Sequence, residues 1–213
     1  MMTDKKLVRL LIMAVLFGAM ILVSGCFPQA IEKTENSDTK INEESETSRV
    51  TTEIPKIGQE LALYDFYNKV AINQTKAEVD KTLGVEPVMD TDGSYRYYDE
   101  STGYTVNVFY SAGGLVTTKV LIVVEGGGDW IKLSTATVTE SQVPQITEGM
   151  NYDEVKNILG GDGLELAAMI YPGTNDKIVY TLVWVNPDFS SLSVTFDGET
   201  GKVLFSEYRN APV

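Results

Sequence analysis

The chain has 213 residues, a formal net charge of −13, one cysteine and no histidine. Without histidine there is no Ser-His-Asp or Cys-His catalytic arrangement and no His-ligated zinc or iron, and the single Cys26 excludes an intramolecular disulfide. So acidic a chain also lacks the basic stripe that binding to nucleic acid requires, leaving carboxylate pairs, Ser-Lys arrangements and oxygen-ligated calcium as the chemistry still open.

Residues 1–25 read as a signal peptide. Lys5, Lys6 and Arg9 form a basic start, and Leu10 to Val23 is an apolar run short of the roughly 20 residues a membrane span needs. "LVSGC" closes it and resembles the bacterial lipobox, which implies that Cys26 becomes a lipid-modified first residue. Acyl chains then hold the protein at a membrane, each buried CH₂ contributing about 0.8 kcal/mol. Cleavage removes three positive charges and one negative, so the mature chain sits near −15. Residues 26–58 are the lipidated cysteine and a tether, because "EKTENSDTKINEESETSRVTTE" has too few large apolar residues to offset its ordering entropy. A flexible chain of that length spans about 30 Å, enough to lift a domain clear of the headgroups.

Two helix signatures follow. Thr75-x-x-Glu78 is a capping box, with Val79 and Leu83 as the apolar stripe and Gly84 at the left-handed C′ position. Asn151-x-x-Glu154, with Val155, Ile158, Leu159 and Gly160, repeats the pattern 76 residues on. Met150 and Val155 suit a hydrophobic staple, and Gly149 suits the end of a preceding helix, as Asn73 does in the first copy. Each signature precedes strand-like runs. These are Tyr95–Tyr98, Tyr104–Tyr110 and Val116–Val124 in the first half, and Ile178–Val185, Leu192–Phe196 and Val203–Tyr208 in the second. Ser111–Gly114 and Asp197–Gly201 read as hairpin turns, and the Gly126–Gly128 stretch joins the halves.

The pattern predicts an α+β fold of two tandem repeats, residues 59–128 and 129–213. Each is a helix-loop-helix packed on one face of an antiparallel β-sheet meander. On Ile178–Val185, the β-branched set Val179, Thr181, Val183 and Val185 is expected beneath the helices, leaving Tyr180, Leu182 and Trp184 on an open face. On Tyr104–Tyr110, Tyr104, Val106, Val108 and Tyr110 are expected inside, and Thr105, Asn107 and Phe109 outside.

"ITEGMNYDEVKNILGGDG" with the later "VTFDGETGKV" resembles the β-lactamase-inhibitory-protein (BLIP) repeat, and is similar to the small SmpA/OmlA (BamE-like) lipoproteins. The resemblance spans about Leu61 to Tyr208. It implies a curved sheet whose free face binds another protein, and it carries over no catalytic residue. The chain departs from the inhibitory repeat in having no disulfide, and no match is legible to the loops that enter a β-lactamase active site.

Other groups weigh less. Placing Gly93 at the sixth position of a calcium loop sets Asp90, Asp92 and Asp99 at ligand positions, but Val88 then falls first and offers no oxygen. A polar turn entering a strand fits better. Asp153 and Glu154 suit the positive end of a helix dipole, and Asp197 and Glu199 a glycine-rich turn. The expectation is a non-enzymatic, lipid-anchored, extracytoplasmic module without cofactors that binds another envelope protein through Tyr98, Phe109, Tyr180 and Trp184. The alternatives are a PepSY-like sensor with an aromatic-lined cleft between the repeats, or an envelope enzyme with facing carboxylates.

Overall fold

The computed structural model describes residues 61–122, 136–174 and 176–211. The signal peptide, Cys26, the tether, the Gly126–Gly128 junction and Trp130 lie outside the described residues. No described helix is long and apolar enough to cross a membrane.

The first half opens with a 3₁₀ turn, Ala62–Tyr64, running into α1 (Asp65–Lys69) and then α2 (Lys76–Leu83). The second half opens with a 3₁₀ segment, Glu140–Gln145, followed by α3 (Tyr152–Leu159).

 
Both α2 and α3 (Tyr152–Leu159) are held by the capping boxes their sequences carry. Asn151 Oδ1 accepts from the Glu154 N–H at 3.0 Å, and the Glu154 carboxylate accepts from the Asn151 N–H at 2.7 Å. Thr75 and Glu78 make the same reciprocal pair. Gly84 and Gly160 end the two helices with φ of 68° and 80°, a conformation that glycine adopts without a Cβ penalty.

Eight antiparallel strands form one sheet in which spatial order equals chain order. They are β1 (Val88–Met89), β2 (Tyr95–Tyr98), β3 (Thr105–Tyr110), β4 (Val116–Ile122), β5 (Leu164–Ile170), β6 (Ile178–Val185), β7 (Ser191–Asp197) and β8 (Val203–Arg209). β1 and β5 are additional to the strands expected from sequence. One row of register partners runs from β2 to β7: Tyr95, Val108, Lys119, Ala168, Tyr180 and Phe196. Val108 belongs to the core under α1 and α2, and Phe196 to the core under α3, so both cores lie on the same side.

Several features occur in both halves. Gln74 and Asn73 exchange backbone hydrogen bonds with Val116, the first residue of β4, and Met150 and Gly149 do the same with Val203, the first residue of β8. A register shift falls between Phe109 and Tyr110 in β3 and between Thr195 and Phe196 in β7. Gly149, with φ of 91°, does not close a helix as expected, because the preceding 3₁₀ segment already ends at Gln145. Its left-handed backbone turns the chain so that its N–H reaches the Val203 carbonyl.

On β3 the expected inward residues Val106 and Val108 are fully buried and Tyr104 and Tyr110 half-buried, whereas Thr105, expected outside, is buried as well. On β6 the expected faces are inverted. Leu182 and Trp184, with half-buried Tyr180, pack under α3 in the second core, and Val179 on the opposite face packs with Met169 in a separate small cluster. Both faces of β6 are buried, so the alternation of its side chains carries no inside-outside signal.

Candidate protein-binding surface

The four residues expected to bind a partner do not form one patch. Trp184 is 0 % exposed. Its indole N–H donates to the Gly161 carbonyl at 2.9 Å, and its ring lies so close to Gly163 that a Cβ there would stand 2.6 Å from it. The tryptophan anchors the end of α3 to the sheet and presents nothing to a partner, which corrects the expectation of an open aromatic face. Tyr180 shares that side and packs on the same core. Burial, reinforced by the Glu165 charge, raises the pKa of its phenol.

Tyr98 and Phe109 alternate with the helix-facing residues and so lie on the opposite side of the sheet. Tyr98 is 49 % exposed at the end of β2, and Phe109 is half-buried. Tyr98 pairs with Thr105, four positions before Phe109, so the two are on the order of 13 Å apart along the strands. The row between them and the far edge is Arg96, Asn107, Val120, Ala167, Thr181 and Thr195. Small side chains fill its centre, where the Thr181 and Thr195 hydroxyls hydrogen-bond at 3.0 Å. The buried Asn107 Oδ1 has no hydrogen-bond partner among the described residues.

An unexpected residue stands at one end of the sheet. Phe189 is 47 % exposed and holds a positive φ of 67°. A bulky side chain in that conformation is strained. The surrounding turn fixes it there. The Asn186 N–H donates to the Ser190 carbonyl at 2.8 Å, and the Phe189 N–H donates to the Asn186 carbonyl at 2.9 Å. The Asn186 side chain donates to the Val138 carbonyl at 2.7 Å and accepts from the Val138 N–H at 2.8 Å. Asp188 accepts from the Ser190 hydroxyl and N–H, which lowers its carboxyl pKa. The aromatic ring is therefore displayed on a rigid support.

The β2–β3 turn has a related construction. Asp99 accepts from the Ser101 hydroxyl at 2.6 Å and from its N–H at 2.9 Å. Burial raises the Asp99 carboxyl pKa, but the Ser101 and Thr102 bonds outweigh it and leave it lowered. In a sheet whose strand order follows the chain, the β2–β3 and β6–β7 turns fall at the same end. Tyr98 and Phe189 thus share that end, one from each half.

The carboxylates that invite chemistry have structural partners. Asp92 binds the Ser94 hydroxyl and N–H within its own hairpin, and Arg96 pairs with Asp90 at 3.0 Å. Asp197 pairs with Lys177 and accepts from the N–H groups of Glu199 and Thr200. Among the described residues no group of three or more His, Cys, Asp or Glu side chains is placed to hold a metal ion. A cavity of about 450 Å³ lies between the 3₁₀ segment and β8, lined by Glu140, Val143, Pro144, Ser206, Glu207 and Tyr208. It is at the outer edge of the second half, not between the halves.

No curated protein matches the chain. The family model described as β-lactamase inhibitor (BLIP) matches residues 63–182, from the turn before α1 into β6. More than half of the sequence falls within that match, and the chain belongs to the β-lactamase inhibitor (BLIP) family.

Proposed function

We propose that the chain is a lipid-anchored, extracytoplasmic protein-binding module whose contact surface is the end of the sheet bearing Phe189 and Tyr98, continued by Phe109 on the side away from the helices. The family is one of non-enzymatic inhibitors, and as a member this chain is not an enzyme. Phe189 carries the reading. An exposed aromatic at a strained backbone angle, held by a buried asparagine, is a cost to folding that binding accounts for. Aromatic anchors on rigid supports also dominate the energetics of protein interfaces.

We further infer that the halves, residues 59–128 and 129–213, are two copies of one unit. The repeated capping box, left-handed glycine, pre-cap hydrogen bonds and strand irregularity support this reading. Two copies in one sheet would place equivalent turns at the same end of the sheet, four strands apart, giving a partner two points of contact. Residues 1–25 as signal, Cys26 as the acylated residue and 26–58 as tether complete the proposal.

The family's name makes a β-lactamase-type protein the first partner class to try. The test uses the acylated full chain extracted from its own membranes, beside a Phe189→Ser/Tyr98→Ser variant. The parent is expected to retain an envelope protein, or slow hydrolysis of a chromogenic β-lactam by a purified β-lactamase, at least about tenfold better, as expected on losing aromatic anchors. Equal retention and equal inhibition by both would reject the surface.

A further inference from the structure

β4 and β5 join the two halves through three register pairs only, Thr118–Met169, Lys119–Ala168 and Val120–Ala167, whereas β6 and β7 share seven. So short a ladder between two four-stranded halves is the natural place for the sheet to flex. Among the described residues no register pair follows Val120–Ala167, and side chains from the first helical segment take over. The Tyr64 hydroxyl donates to the Glu165 backbone carbonyl at 2.8 Å. The Tyr67 hydroxyl donates to the Glu165 carboxylate at 2.6 Å. From the other strand, Lys119 Nζ donates to the carbonyls of Tyr67 and Val70 at 2.9 and 2.8 Å, and lies 3.9 Å from the centre of the Tyr67 ring. The segment from the 3₁₀ turn through α1 is therefore gripped at the carbonyls of Tyr67 and Val70 by β4 and at Tyr64 and Tyr67 by β5. Glu165 is 6 % exposed and sits at a register shift in β5, so a charged group is buried where the sheet is weakest.

We propose that Glu165, Tyr64, Tyr67 and Lys119 form a clamp that keeps the β4–β5 seam closed, so that the two halves move as one body. Buried charge is seldom a net source of stability, and its better-attested use is to specify one arrangement among several. Adjacent strands differ in direction by roughly 20–25° with considerable spread. A loose seam would vary the separation of Tyr98 and Phe189, and a partner would have to order it on binding. This consequence rests on the proposed contact surface, but the clamp itself does not.

Hydrogen–deuterium exchange on the purified full chain tests the clamp without any partner. In Tyr67→Phe and Glu165→Ala, each of which removes one side of a buried hydrogen bond, the amides of Thr118–Val120 and Ala167–Met169 are expected to exchange about tenfold faster or more. Those of β6–β7 should keep the parent rate. Glu165→Gln keeps an oxygen opposite the Tyr67 hydroxyl and should stay within about threefold of the parent. Uniform acceleration across all strands would mean an ordinary core residue and would overturn the clamp, as would no acceleration at all. Tyr67→Phe keeps the ring and its packing, so an answer survives even where Glu165→Ala does not fold. Loss of partner capture in Phe189→Ser with an unchanged seam bears on the contact surface alone.

Discussion

At the scale of single residues, strain and close contact mark what the chain spends on display and on anchoring. An L-residue in the left-handed region costs roughly 1–2 kcal/mol, and asparagine tolerates it better than phenylalanine. Phe189→Asn is therefore expected to raise the stability of the fold by about 0.5–1 kcal/mol, read as a higher urea midpoint, while weakening partner capture. A residue kept only for packing would lose stability instead. Gly163 is the opposite case. Its Cα hydrogen faces the buried indole of Trp184, and Gly163→Ala is expected to cost about 1–3 kcal/mol, measured by denaturation followed through tryptophan fluorescence. The sequence exposed neither residue to view. "NPDFS" reads as a turn, and only the large apolar Phe189 in a place that polar residues usually fill signals display.

At the scale of elements, what was legible was local. The capping boxes of α2 and α3 lie within four residues and needed no tertiary information. β5 was missed because "LELAAMI" is rich in good helix formers and does not alternate, being buried on both sides in the middle of the sheet. The faces of β6 were inverted for the same reason, since Val179 and Trp184 both find apolar neighbours, on opposite sides of the strand. The β7–β8 hairpin carries a pH dependence. Burial raises the Asp197 carboxyl pKa, but the Lys177 bond and the Thr200 and Glu199 N–H groups outweigh it and leave it lowered. Its stabilisation is present above the unfolded carboxylate value of about 3.9 and is lost as pH falls through the lowered folded value. Below about pH 4 the parent should lose stability more steeply than Asp197→Asn, compared by thermal melts across pH 2–6. Lys177 is raised, chiefly by its bond to Asp197, so its share holds below its unfolded value and disappears as pH rises past the folded one.

At the scale of the whole molecule, the two halves differ in autonomy. The second core is built from residues between Ala136 and Tyr208 alone. The first core draws on Leu164 and Val183, which belong to β5 and β6. A fragment of residues 136–211 is expected to melt cooperatively, and one of residues 61–122 to lack a cooperative transition, as followed by circular dichroism. The duplicated helix signature was readable in advance, whereas this inequality was not, because it depends on which strand the first helices lean against.

The borrowed side chains impose an order in time. When Ile122 has emerged on the far side of the membrane, as the proposed export requires, Tyr64 and Tyr67 still lack Glu165, and Val183 is roughly 60 residues behind. Over that interval the leading half remains an open, sticky intermediate, and a chaperone that shelters nascent apolar surface has its longest opportunity there.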